Sequence, residues 1–351
     1  MSTNAIYILP LFLISCAASS PQQQQQQPDW VGGSSAKYQK SSYLVGVGSG
    51  AARQTAENEA RANIGKIFKV DIKADLKTTR NEVLEQAQGN TQGTLREEVN
   101  EKIDLGLKKT LEGTEIAEVW KDPSGTFYAL AVLERRKAVM ILRDRMGELE
   151  TSIEGETKTI ESSKDKLTTL RALAKRKSLA AKRESLNGDY RIVNPAGTGI
   201  AFEQSLSDLS GALQKFLKND FNVGLKGSGP DAEGFLQTLT KTLTGAGMNV
   251  RRVTPRNENT LDVVISVEFQ ADEPTGPADE WYYTRWQLSL NAIDQMNGTV
   301  LVGETKRGKS GQLSAAGSTK RAVLDADKQV GQLAGKVVEV LLAGEEEGAG
   351  Q

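Results

Sequence analysis

One cysteine, Cys16, stands in a chain of 351 residues. No disulfide can close within such a chain and no cysteine-based zinc site can form, so the fold has to be held by burial and hydrogen bonding alone. The length is enough for two ordinary domains with a substantial core. Histidine is absent altogether. That removes Ser-His-Asp and Cys-His catalysis together with the commonest metal ligand. The 44 Lys and Arg nearly cancel the 45 Asp and Glu, so the overall charge does not point to nucleic acid. Neither a cofactor nor a metal is expected.

The position of Cys16 is informative. Ala5 to Ile14 form an apolar run of about ten residues, half of the roughly 20 that a membrane-spanning helix needs, and suited to the apolar region of a secretory signal. It ends in "LISC", with Leu13, Ile14 and Ser15 before Cys16. This resembles the bacterial lipobox. The resemblance implies cleavage between Ser15 and Cys16, a diacylglyceryl group on the Cys16 thiol and acylation of the new N-terminus. No Lys or Arg precedes the run, a departure from the usual signal. Ala17 follows Cys16 where an aspartate would retain the protein at the inner membrane; by resemblance to Gram-negative lipoproteins, this favours the outer membrane. Several acyl chains anchor stably where one does not.

The expected organisation is a lipoprotein signal over residues 1–15, a Gln-rich flexible tether over 16–28, a first domain over 29–137, a charged helical connector over 138–188, a second domain over 189–344 and a disordered tail over 345–351. The fold class is α+β: two small α/β domains, helices packed on mainly antiparallel sheets, joined by the helical segment. In the first domain, "YLVGV" reads as a strand and Ala56, Ala60, Ile64 and Ile67 as a helical stripe. "VDIKADL" reads as a further strand, and Leu95, Val99, Ile103 and Leu107 recur at helical steps. "EIAEVW" and "TFYALAVLE" make a strand pair about "KDPSG", the second apolar on both faces and therefore central. The connector reads as two helices with a bend near Gly155. In the second domain the order is β-α-β-β-β-β-α. "LDVVISVEF" and "YYTRWQLSLNA" alternate with period two. Asn297-Gly298 offers a tight hairpin turn. The last helix carries Ala322, Ala326, Val330, Leu333, Val337 and Leu341 on one stripe.

Gly46, Gly48 and Gly50, between the first strand and its helix, raise the question of a phosphate cradle. A dinucleotide fingerprint needs G-x-G-x-x-G and a parallel βαβ unit, and a P-loop needs a lysine; here the third glycine comes one place early and no such lysine follows. The glycines read instead as a sharp turn from strand to helix. In order along the chain, "PDWV", "YLVGVGSGAA" and "EIAEVWKDPSGTFYALAVLERRKA" resemble the bacterial outer-membrane lipoproteins often called LPP-twenty, whose domain recurs at the front of the flagellar assembly protein T. The resemblance covers Asp29 to Lys137. It implies a periplasm-facing, membrane-tethered domain without known catalysis. In element order, the second domain is similar to the small α/β domains of envelope proteins such as the curli secretion protein CsgG and the N-terminal domain of TolB.

Three functional classes stay open. The leading one is a non-enzymatic, lipid-anchored adaptor or scaffold that binds other envelope, flagellar or secretion proteins. Within it, Arg171, Lys175, Arg176, Lys177, Lys182 and Arg183, a basic run without an intervening acid, could contact an anionic surface. The alternative is a binding protein for a small ligand or polysaccharide, using Trp281, Tyr282 and Tyr283 beside the acidic loop "QADEPTGPADE". Third, Asp272, Glu273, Asp279 and Glu280 in that loop could hold a hydrolytic carboxylate pair; such loop acids ordinarily just meet water, and no catalytic residue is assigned.

Overall fold

The computed structural model describes residues 26–68 and 113–343. The expected strand at 70–76, the helical repeat from Leu95 to Leu107 and the tail at 345–351 lie outside the described residues. What is described is α+β.

The first unit is built on a three-stranded antiparallel sheet. Its strands are β1 (Tyr43–Gly50), β2 (Glu115–Lys121) and β3 (Phe127–Glu134), in the order β1-β3-β2. β3 is central, and Ala129 to Leu133 are all buried. The β2–β3 turn is tied by Asp122, whose carboxylate accepts from the Ser124 hydroxyl at 2.7 Å and the Thr126 amide at 2.8 Å. The Ser124 bond first, and those amide bonds after it, hold the carboxyl below its ordinary value. Helix α1 (residues 53–68) lies on one face of this sheet through Ala56, Ala60, Ile64 and Phe68, all buried. Ile67, expected on that stripe, is 37 % exposed; four-residue steps continue from Ile64 to Phe68 instead. On the other face Trp30 is buried with Leu130 and Val132, and its indole donates to Glu118 Oε2 at 2.8 Å.

Two 28-residue helices follow, α2 (Arg135–Ser162) and α3 (Lys166–Val193). They exceed the connector expected over 138–188, and the bend is not at Gly155: α2 runs through it. A single glycine costs a helix about 1 kcal/mol, too little to break one supported along its length by a neighbour. The chain reverses at Ser163–Asp165, where the Asp165 carboxylate caps the Leu167 and Thr168 amides. The pair bridges the two units. Ala138, Leu142, Met146, Tyr190 and Val193 belong to the first core, while Leu167, Leu170 and Leu173 belong to the second.

The second unit contains α4 (Leu206–Asn219), β4 (Asn222–Ser228), α5 (Ala232–Gly245), β5 (Asn249–Arg252), β6 (Val263–Ala271), β7 (Thr275–Ala278), β8 (Trp281–Asp294), β9 (Val300–Gln312) and α6 (Ala315–Ala343). The sheet order is β5-β4-β6-β8, with β7 and β9 both pairing β8. It is mainly antiparallel, as expected, with one parallel part: β4 runs parallel to both β5 and β6, and the rest is antiparallel. Two elements go beyond the expected order. α4 is a short amphipathic helix with Leu209, Leu213 and Leu217 buried, capped by Ser205; β7 is a four-residue strand containing Gly276 and Pro277. The β8–β9 connection is wider than a two-residue turn, because Asp294 and Thr299 close it through an amide-to-carbonyl bond of 2.9 Å. Helices α4, α5 and α6 share one core with Val223, Leu225, Ile265, Val267, Leu288 and Leu290. The expected stripe of α6 is buried from Ala322 to Leu341. The opposite side of the sheet carries Val264 and Ile293 at one end and polar residues such as Gln270, Gln287 and Arg307 further along.

Candidate anchoring and interaction surfaces

Ser15 and Cys16 lie outside the described residues. The first described tertiary anchor after them is Trp30, so a lipid on Cys16 would sit within about 14 residues of the first sheet, at most roughly 50 Å of chain.

The three glycines are not a turn. All lie within β1, none with positive φ. They are there because α1 comes too close for a side chain. A Cβ on Gly46 would stand 2.4 Å from the Ala60 carbonyl oxygen, and one on Gly50 would stand 2.8 Å from Thr55 Cβ. Gly48 is the tightest of the three. The strand amide that could meet a phosphate, that of Ser49, already donates to the Glu59 carboxylate at 2.8 Å, and Asn63 Nδ2 donates to the Val47 carbonyl at 2.7 Å. The close approach locks helix to strand and leaves no phosphate cradle.

The basic run on α3 does not form one exposed face. Arg183 is 1 % exposed; it meets Glu150 at 2.8 Å, donates to the Ile200 carbonyl at 2.9 Å and stands over the Phe202 ring. Arg171 donates to the Val340 carbonyl of α6, and Arg176 to the Thr157 hydroxyl of α2. Burial pulls the Arg176 guanidinium below its ordinary value. Lys175 is exposed but paired with Glu156 at 2.6 Å. Lys177 is partly buried and Lys182 exposed. The acids missing between these residues in sequence come from α2.

Arg135, which the sequence reading passed over, clamps three segments. Its Nε donates to the Lys40 carbonyl at 2.8 Å and one terminal nitrogen to the Ile192 and Val193 carbonyls at 2.7 and 3.1 Å. A positive charge at the C-terminal end of α3 is favoured by the helix dipole. A half-open cleft of about 490 Å³ lies beside it, lined by Ser42, Tyr43, Arg136, Val139 and Asn194 among others.

The acidic loop is a hairpin. Ala278 pairs with Trp281 across Asp279 and Glu280, both left-handed, as a two-residue turn demands. Asp272, Glu273, Asp279 and Glu280 are exposed. Trp281 and Tyr283 fall on the open side of the sheet, with Trp281 42 % exposed. Tyr282 falls on the helix side with Trp286, whose indole donates to Ser310. The three aromatics are therefore not one platform. Among the described residues no group of His, Cys, Asp and Glu is placed to hold a metal, and no helix is long and apolar enough to cross a membrane.

An α+β unit joined through a helical hairpin to a second α+β unit is the arrangement these elements define. Residues 28–134, which hold the first sheet and α1, match the family described as LPP20 lipoprotein. No curated protein sequence matches the chain. Among solved structures, the secreted protein HP1454 from Helicobacter pylori is similar at 12 % identity and a TM-score of 0.44, over 86 % of this chain and 98 % of that one. A minor lipoprotein from Acinetobacter baumannii matches at 12 % identity and a TM-score of 0.25, over 34 % of this chain and 91 % of that one. Lipoprotein GNA1162 from Neisseria meningitidis matches at 14 % identity and a TM-score of 0.23, over 32 % of this chain and 99 % of that one.

Proposed function

We propose that this protein is anchored in the outer membrane by lipid on Cys16, faces the periplasm and acts without catalysis as an adaptor for other envelope proteins. The observation that carries the reading is the α2–α3 bridge. From Leu170, in the second core, to Tyr190, in the first, α3 covers twenty residues, about 30 Å of helix. The pair of buried Arg183 with partly exposed Glu150, and a small core of Ile153, Ala180 and Leu209, stiffen its middle. Such a build suits a spacer that holds a binding unit at a set distance from a lipid anchor. The lone cysteine at a lipobox-like position, Ala17 after it and the LPP20 domain support the location.

The test is recovery of partners by in-cell crosslinking and mass spectrometry, comparing the wild type with Cys16→Ser and with a form in which one heptad is deleted from each of α2 and α3. An adaptor loses a defined set of envelope partners in both variants. An unchanged set in the folded, shortened form overturns the spacer role.

A further inference from the structure

The open side of the second sheet carries an ordered strip along β8 and β9. On β8 the exposed alternation places Trp281, Tyr283, Arg285 and Gln287 on this side; on β9 it places Arg307 and Lys309 there. The register sets Arg285 directly opposite Lys309 and Gln287 directly opposite Arg307. Tyr283 faces Gly311, and a Cβ at that glycine would lie 2.9 Å from the tyrosine ring and 3.2 Å from the Trp281 ring. The two rings therefore lean over a gap in β9, and Lys309 Nζ stands 3.8 Å from the Tyr283 centroid.

Like charges directly opposite on a sheet destabilise it, yet Arg285, Arg307 and Lys309 have no ion-pair partner among the described residues. Arg307 is held by Gln287, its Nε donating to Oε1 at 2.8 Å. On the neighbouring strand, Asp272 donates its amide to the Arg285 carbonyl, without a carboxylate–guanidinium pair. The strip runs from aromatic faces, through three cations, to a side-chain amide, over about 20 Å of strand. Aromatic faces stack on the apolar face of a sugar ring, guanidinium and ammonium groups meet carboxylates or phosphates, and amides meet hydroxyls. A bilayer headgroup would use the cations but has no need of the amide and ring row.

We propose that this strip binds an anionic glycan, a sugar chain bearing acidic groups, with Arg285, Arg307 and Lys309 on its charges and Trp281 and Tyr283 under a ring. The proposal does not depend on the adaptor reading. The test is isothermal titration of the full-length lipoprotein in neutral detergent micelles with polygalacturonate, a neutral glucan, inorganic polyphosphate and phosphatidylglycerol vesicles. Polygalacturonate should bind and the neutral glucan should not. The double variant Arg285→Gln/Lys309→Gln should weaken binding by about tenfold or more, because charge-assisted hydrogen bonds are lost, and Trp281→Ala should weaken it too. Lys218→Gln/Lys328→Gln, the same charge change at two other exposed lysines, should leave it unchanged. The proposal is overturned by no binding to polygalacturonate, by tighter binding to the vesicles, or by equal loss in the control variant. Equal binding of polyphosphate together with indifference to Trp281→Ala would overturn it as well, since the strip would then be a simple cation exchanger. Loss of glycan binding with partner recovery intact separates this site from the adaptor role.

Discussion

A Cβ on Gly48 would fall 2.2 Å from the amide nitrogen of Ala60 and 2.3 Å from the carbonyl oxygen of Ala56. Both are backbone atoms of α1 and cannot rotate away. Even the smallest side chain has to push the helix off the sheet, opening the core around Ile64 and Phe68. Gly48→Ala is expected to cost about 3 kcal/mol, the upper end of the overpacking range. Denaturant titration checks this, and a loss below about 1 kcal/mol would show that the helix yields easily.

Gly155 gives the opposite expectation. It sits inside α2, and a Cβ there would meet nothing within 4 Å. Gly155→Ala should stabilise by about 0.5–1 kcal/mol through helix propensity alone. A destabilised variant would argue for a bend at this residue in solution.

Arg183 satisfies the Ile200 and Ala201 carbonyls as well as the Glu150 carboxylate. Arg183→Met removes a buried charge and strands those carbonyl acceptors, at an expected cost of about 1–3 kcal/mol for each one left unpaired. Glu150 is partly open to solvent, so Glu150→Gln should cost clearly less. Thermal unfolding of the two variants side by side reads the difference; equal losses would mean that the ion pair, not the carbonyls, holds the arginine.

Asp165 makes a pH-dependent contribution. Burial pushes its carboxyl up, but hydrogen bonds from Thr168 and Leu167 outweigh burial and hold it below the ordinary value. A depressed folded value means that stability from this group is present above the unfolded pKa, about 3.9, and is lost as pH falls through the folded value. Asp165→Asn caps without titrating, so the gap between wild type and Asn variant should close on acidification below about pH 4. At neutral pH, Asp165→Ala should cost about 0.5–2 kcal/mol. A pH-independent gap would remove the titration from the account.

For Cys16, intact-mass measurement of the mature protein should show a chain beginning at that residue and carrying acyl groups, and Cys16→Ser should abolish both. An unmodified, internal Cys16 in the mature protein would overturn the anchor.

The sequence was most readable where one face of an element is buried and the other is wet. β6, β8 and α6 follow their apolar periodicities residue by residue, and β3 is central because its apolar run has no polar side. It was least readable where a feature depends on something distant in the chain. The glycines of β1 look like a turn until α1 is laid over them. The basic run of α3 looks free until the acids of α2 and the carbonyls of the 200–201 segment are brought to it. β4 pairs parallel on both sides, which no local pattern records. The strip on β8 and β9 was half legible: the alternation of "WYYTRWQ" separates Tyr282 from Trp281 and Tyr283, but the cross-strand register that adds Arg307 and Lys309 is a tertiary fact.

The first unit closes late. β1 ends at Gly50, yet its partner among the described strands, β3, begins at Phe127, and the core beneath α1 is completed by Tyr190 and Val193 at the far end of α3. Arg135 then ties the same helix end to the Lys40 carbonyl. During synthesis or export from the N-terminus, more than half of the 351 residues have to arrive before the earliest strand is fully covered. Until β3 arrives, β1 lacks that partner, and an apolar strand in this state is a template for wrong pairing. Separations of this size slow folding, because loop closure precedes its reward. A chain stalled between Glu134 and Val193 would have its first sheet assembled and the core beneath α1 still open where Tyr190 and Val193 belong, and that is the window in which this protein depends most on being held by something else.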